Sequence, residues 1–223
     1  KNWETIFFDN QSNDNSLETA NFFKEDKRIK IFKSTKKLPL YEARNEAIKK
    51  TRGIYIAFLD TDDLWLPKKL ELQLDHIKKK NCEILFSNFY IEKNKKKSLR
   101  LNKNISEVKT QNILNDYYLG ILTGLINKKF FKKGFNKKYN IIGDFDFFLK
   151  LSFKHKICFI NKPLAIYRLH NENLSIKNKK TYINEMQNWI SKNKKKMNKL
   201  GLSLIMQEKN LIKLKIRNFF NLR

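Results

Sequence analysis

The sequence predicts an α/β fold built on a parallel, doubly wound sheet. Three observations carry this. Strand-like and helix-like stretches alternate through the first ninety or so residues. The run at 54–59 is almost continuously apolar and ends in a knot of carboxylates. Finally, 41% hydrophobic and 13% aromatic residues over 223 positions suffice for a packed core and exclude a wholly disordered basic chain.

The elements follow in order. Thr5-Ile6-Phe7-Phe8 mixes β-branched and aromatic residues as strands do, and the dense turn signal from Asp9 to Asp14 stops it. Residue 1 is Lys and the strand starts almost at once, as in a chain entered partway through a fold. Ser16 can cap a helix to about residue 24, with Glu18 in its positive first turn. Residues 28–32 read as a strand. Leu40, Ala43, Ala47 and Ile48 recur at helical spacing over 40–50, with Gly53 just past the end. Residues 54–59 read as a strand buried on both faces. Pro67 then opens a helix whose expected core stripe is Leu70, Leu74 and Ile77, and 83–91 is another strand.

The middle is less regular. The lysine run 93–97 suits a solvated hairpin tip. Residues 113–126 are apolar but broken by Gly120 and Gly124, and 134–143 reads as loop. A helix over 144–154 opens with acids, and two short strands, 157–160 and 164–168, flank Pro163. Beyond residue 174 the pattern is helical and basic, over 182–197 and 200–220. The chain is expected to divide into a main domain, 1–176, and a basic helical extension, 177–223.

The net charge is +26, from 48 Lys+Arg against 22 Asp+Glu. Such a charge suits nucleic acid or an anionic membrane. Heavy use of Lys, Asn, Ile and Phe with little Gly, Pro or Arg also fits compositional bias alone. No nucleic-acid motif and no aromatic stacking pattern on a basic strand occurs, so no nucleic-acid partner is expected. Residues 174–223 hold 13 Lys+Arg against two Glu. That tail is either a helical cap with a solvated lysine face or a surface for an anionic leaflet. No run of 18 apolar residues exists. Two cysteines, Cys82 and Cys158, exclude a disulfide scaffold, suit a reducing cytoplasm, and read as small buried hydrophobes.

The strongest chemical signal is Asp60-Thr61-Asp62-Asp63, at the carboxyl end of a predicted buried strand, where ligands of open α/β sheets sit. Carboxylates this close repel and call for a cation; hard oxygen donors suit Mg²⁺ or Mn²⁺. A solvated acidic turn capping the next helix is the plain alternative. Asp144 and Asp146 open a helix, where either caps it or serves as a general base. Arg168 could pair with a phosphate. His170 is either a hydrogen-bonded structural residue or a ligand.

Taken in order, these segments resemble glycosyltransferase family 2 enzymes of the GT-A, Rossmann-like fold over about residues 1 to 176. The likeness rests on Phe8-Asp9-Asn10-Gln11-Ser12-Asn13-Asp14, on Ala43-Arg44-Asn45 with Gly53, and on the stretch from Tyr55 to Asp63 continued through Leu64-Trp65-Leu66-Pro67. It extends through Gly143-Asp144-Phe145-Asp146 and through Pro163-Leu164 to Tyr167-Arg168-Leu169-His170. The resemblance implies an inverting transfer of a sugar from a nucleotide-diphosphate donor to a glycan or lipid-linked acceptor, in cell-surface polysaccharide or lipopolysaccharide synthesis. With the cysteine usage, a cytoplasmic enzyme is expected, and the basic tail makes the inner face of the plasma membrane a candidate surface. Asp62 and Asp63 would hold Mg²⁺ or Mn²⁺ on the donor diphosphate, with Asp60 nearby and His170 approaching the metal. Asp144 would deprotonate the acceptor, Asp9 and Asn10 would meet the nucleoside, and Arg44 would lie near the donor. Asn10 replaces a common acid, Gln11 a Gly and Gly143 a Glu. The family's first strand does not precede Lys1, so the sheet is expected to be incomplete at that end. The alternatives are a nucleotide-binding remnant without turnover and a basic nucleic-acid binder.

Overall fold

The structure is a computed structural model that describes residues 2–220. It opens with strand β1 (Thr5–Asp9), helix α1 (Ser16–Asn21) and strand β2 (Ile29–Lys33). β1 and β2 pair in parallel from Thr5↔Ile29 to Asp9↔Lys33 and form a sheet of their own. α2 (Leu40–Lys50) has the bounds its apolar spacing predicts, and packs on β1.

A six-stranded sheet follows, in the order β3-β7-β5-β8-β4 with β6 on the outer part of β5. β3 is Tyr55–Ile56 and β4 is Leu64–Trp65. α3 spans Lys69–Lys80, and β5 (Ile84–Lys93) turns through Asn94 and Lys95 into β6 (Lys96–Leu99), the expected hairpin. α4 (Thr110–Asn115), β7 (Leu125–Asn127) and α5 (Gly143–Ser152) lead to β8 (Cys158–Arg168). The two longest ladders, β1–β2 and β5–β8, run parallel, while β3, β4, β6 and β7 join antiparallel. α6 (Leu174–Lys177), α7 (Lys179–Lys199) and α8 (Ile205–Phe219) complete the chain. No helix among the described residues is long and apolar enough to cross a membrane.

Four expectations are corrected. The run 54–59 is not a doubly buried strand: only Tyr55 and Ile56 join a ladder, to β7 alone, and Ile54 and Leu59 are exposed. A strand with one partner has nothing to cover its second edge, and the chain leaves the sheet toward the acidic cluster. The two short strands around Pro163 are one strand, because β5 shifts register opposite Pro163 and the irregularity absorbs the missing amide.

The buried face of α3 is Lys69, Gln73 and Ile77, whereas Leu74 is exposed. Lys69 Nζ donates to Gln73 Oε1 at 2.7 Å and lies 4.3 Å from the Trp65 ring centre; Gln73 Nε2 donates to the Thr123 carbonyl at 2.8 Å. Burial pushes the Lys69 ammonium down to about 7. A polar pair outside the expected apolar stripe is thus a satisfied core group.

The cysteines are not separate small hydrophobes. Cys82 leads into β5, Cys158 opens its parallel neighbour β8, and the two are joined in a disulfide with Cα atoms 6.4 Å apart. The cysteine count therefore no longer supports a reducing compartment.

The main core joins the middle of the chain to its C-terminal helices. Ile84 and Phe86 of β5 and Phe145 and Phe148 of α5 share one cluster with Ile183, Met186, Trp189, Ile190, Met197, Leu204 and Leu211. The residues after 177 thus cover the sheet's helical layer instead of trailing from it.

Candidate active site

The cleft is held by α2, by the turn after β3, by the start of α5 and by the C-terminal helices. It encloses about 1230 Å³ and is lined by Asn10, Arg44, Asp60, Asp62, Asp63 and Asp144, together with Tyr41 and Tyr117. Six of the sequence-predicted site residues therefore share one concavity. Asp9 and His170 do not line it, although His170 touches Asp62, which does.

The acidic cluster does not converge on one point. Each carboxylate goes to a different partner. Asp60 takes both its oxygens to Arg44 Nη2, at 2.7 and 2.8 Å. Asp62 Oδ2 lies 2.9 Å from His170 Nε2 and accepts from Asn173 Nδ2 at 3.3 Å. Asp63 is turned inward, only 4% exposed, and its Oδ1 accepts from the Arg168 amide at 3.0 Å. Burial, with Asp62 and Asp60 beside it, pushes the Asp63 carboxyl up to about 7 against that hydrogen bond. Arg168 turns its side chain to the Asp62 carbonyl, not to the open cleft.

Among the described residues no three His, Cys, Asp or Glu side chains form a metal cage, so the expected ligand trio of Asp62, Asp63 and His170 does not assemble as one. Of that trio, Asp62 and His170 lie together and could hold a divalent ion if they gave up their mutual hydrogen bond. An ion bound to substrate phosphates usually takes only one or two carboxylates and fills its shell with water and phosphate oxygens. Both side chains are about 40% exposed and so accessible to such an ion.

At the other end, α5 begins with Gly143 and Asp144. Tyr117 Oη donates to Asp144 Oδ2 at 2.9 Å. Tyr41 Oη lies 2.8 Å from both Asp144 Oδ1 and the Ile141 carbonyl, so its one proton serves two acceptors. Burial, and then the charge of Asp144, hold both phenols well above their usual value, so they stay protonated donors. Each carboxylate oxygen keeps a further lone pair. Gly143 makes this possible: a Cβ there would stand 2.6 Å from the Tyr41 ring.

Arg44 and Tyr41 lie one helical turn apart on α2 and bridge the two ends. The guanidinium sits 5.4 Å from the Tyr41 ring centre while gripping Asp60. Burial opposes its charge, but the carboxylates of Asp60 and Asp144 help to outweigh burial and hold the group above its ordinary value. The path Asp60–Arg44–Tyr41–Asp144 is continuous.

Asn10 lines the cleft, yet its amide is engaged: Nδ2 donates to the Leu38 carbonyl at 2.8 Å and Oδ1 accepts from the Leu38 amide at 2.9 Å. Asp9 is buried; its Oδ1 accepts from the Ser12 amide at 3.1 Å and its Oδ2 has no partner among the described residues. Asp146 is a core group, not a second base. Trp189 Nε1 donates to its Oδ1 at 3.0 Å and Lys150 Nζ to its Oδ2 at 2.6 Å.

α7 also fixes the loop before Asp144. Glu185 accepts from the amides of Asn140, Ile141 and Ile142, at 2.6, 3.0 and 3.2 Å. Glu185→Ala leaves three amides without that partner, and thermal or urea unfolding should show a loss of about 2–4 kcal/mol. An unchanged midpoint would mean the loop holds itself.

Tyr117 and Glu185 carry no sequence signal of a site. Tyr41 offered one clue, an aromatic one helical turn from Arg44 on the same face.

The sequence profile of Glycosyl transferase family 2 matches residues 1–158. An Escherichia coli protein, the UDP-Glc:alpha-D-GlcNAc-diphosphoundecaprenol beta-1,3-glucosyltransferase WfgD, is 38% identical over 93 residues, which cover 42% of this chain and 36% of that protein. TuaG of Bacillus subtilis, a glycosyltransferase assigned to teichuronic acid biosynthesis, is 29% identical over 178 residues, 78% of this chain and 70% of its own. Among solved structures, Staphylococcus aureus TarS 1–349 in complex with UDP superposes with a TM-score of 0.66 at 18% identity, covering 97% of this chain and 62% of that one. The matched segment is thus about a third of the Escherichia coli relative's length, and the TarS likeness speaks for the GT-A fold alone. With most of its length matched by the family profile, and with both ends of the motif series meeting on one cleft, the chain belongs to glycosyltransferase family 2.

Proposed function

We propose that the chain transfers a sugar from a nucleotide-diphosphate donor to an acceptor hydroxyl, with inversion at the anomeric carbon, in building a cell-surface polysaccharide or lipopolysaccharide. The observation that carries this is the single cleft with Asp62 toward one end, Asp144 at the other and the Arg44–Tyr41 bridge between them.

The donor diphosphate lies toward Asp62 and His170. Those two residues would hold Mg²⁺ or Mn²⁺, which when bound supplies positive charge to the leaving diphosphate. The nucleoside would lie toward Asn10, which lines the cleft, with Asp9 buried beside it; Asp9 Oδ2, which has no partner among the described residues, would accept a base N–H only if the binding of the nucleoside opens a path to it. Asp144 takes the proton of the acceptor hydroxyl as that oxygen bonds to the anomeric carbon. The electron pair of the broken carbon–oxygen bond leaves with the diphosphate on the opposite face. Tyr41 and Tyr117 hold both carboxylate oxygens and fix their direction. The acceptor is a glycan or a lipid-linked sugar; the Escherichia coli relative's name specifies a sugar on a lipid diphosphate.

A thermal-shift series with UDP-sugars and Mn²⁺ tests this. Saturating donor with Mn²⁺ should raise the melting temperature by roughly 5–10 °C, and duplex DNA should not. No shift with any nucleotide sugar would overturn the proposal, and a shift without turnover on any acceptor would leave a nucleotide-binding remnant.

A further inference from the structure

α8 has two apolar faces, and only one of them is used. Leu204 and Leu211 sit in the main core, and Gln207 Nε2 donates to the Leu114 carbonyl at 2.9 Å, so the helix is held in a fixed orientation. On the opposite side Ile205, Ile212, Ile216 and Phe219 are 58%, 57%, 50% and 81% exposed. At helical spacing these four fall within an arc of about 60° and form one stripe along the helix. Buried area alone gives no reason to keep three branched aliphatics and a phenylalanine in water.

The residues beside the stripe identify what covers it. Lys209, Lys213 and Lys215 are all exposed. The one acid of the helix, Glu208, is tied to Lys194 of α7 at 2.8 Å. A narrow apolar stripe flanked by cations that form no ion pair among the described residues matches the interface of an anionic bilayer, where the apolar groups enter the acyl boundary and the ammonium groups reach headgroup phosphates. A second copy of the chain is a poor match, since each copy carries a formal charge of +26.

We infer that α8 is a membrane-docking helix that lies in the plane of an anionic lipid surface on its Ile205, Ile212, Ile216 and Phe219 face. The opposite side of the same helix contributes Leu214, Arg217 and Asn218 to the wall of the catalytic cleft. Docking therefore holds the cleft beside the headgroup layer, where a lipid-borne hydroxyl would present itself. The docking itself does not depend on the transferase proposal.

Flotation of the intact chain with phosphatidylglycerol/phosphatidylcholine vesicles at about a 1:3 ratio tests it, beside pure phosphatidylcholine vesicles. The chain should float with the anionic vesicles at physiological salt. The triple change Ile212→Ser, Ile216→Ser and Phe219→Ser should weaken partitioning at least roughly tenfold. The triple change Lys209→Gln, Lys213→Gln and Lys215→Gln should remove most of the preference for anionic lipid and its salt dependence. Failure of the unaltered chain to float, or equal flotation by the apolar variant, overturns the inference. So does a dimer in light scattering that the apolar changes dissolve, which would assign the stripe to a second copy. The donor thermal shift is read without lipid, so it fails or succeeds separately.

Discussion

Asp144→Asn should lower turnover by roughly 10²–10⁴-fold and leave nucleotide-sugar binding close to that of the unaltered protein. The substitution keeps the size of the side chain and removes its ability to take a proton. Tyr117 and Tyr41 still have an amide oxygen to donate to on one side, and the phenol on the other can turn to accept. Asp62, proposed to face the diphosphate, is hydrogen-bonded to His170 and Asn173 and not to Asp144. Calorimetric titration with donor, read beside steady-state rates, separates the outcomes. A normal rate would remove Asp144 as the base. Loss of binding together with rate would make it a structural group.

Gly143→Ala should destabilise the fold, against the ordinary preference of helices. Replacing a helical glycine by alanine normally gains about 0.5–1 kcal/mol. Here the new Cβ would stand 2.6 Å from the ring of Tyr41, a side chain that is 1% exposed and has nowhere to go. Overpacking of that kind costs about 1–3 kcal/mol and exceeds the helical gain. The melting temperature should fall by roughly 2–8 °C. Turnover should fall further than stability, because displacing the Tyr41 ring also withdraws a hydrogen bond from Asp144. An alanine variant that melts higher and turns over normally would show that the close contact is unimportant. The family resemblance puts a glutamate at this position, and in this chain any side chain there would meet the Tyr41 ring.

Much of the site was legible because its chemistry sits in short contiguous stretches. Asp60, Asp62 and Asp63 are neighbours in sequence, Asp144 opens a helix, and α2 shows its apolar period without interruption, so its bounds were recoverable. The partners of those residues were not. Tyr41 and Asp144 are 103 positions apart, and their contact depends on the glycine beside the acid. Glu185 lies in a lysine-rich helix that reads as a solvated extension, yet it holds three amides in the loop before the base. Lys69 and Gln73 escaped because a hydrophobic period counts polar residues as outward, and only their mutual hydrogen bond makes burial tolerable. The same limit hid the Cys82–Cys158 pairing, which follows from β5 and β8 being parallel neighbours. Nor could adjacency along the chain show that the three aspartates turn to three different partners.

The most direct test is a crystal structure of the intact chain with a nucleotide sugar and Mn²⁺. The diphosphate should lie against Asp62 and His170, with the anomeric carbon open toward Asp144 and both phenols still on that carboxylate. A donor seated outside this cleft, or one whose anomeric carbon faces away from Asp144, would contradict the account.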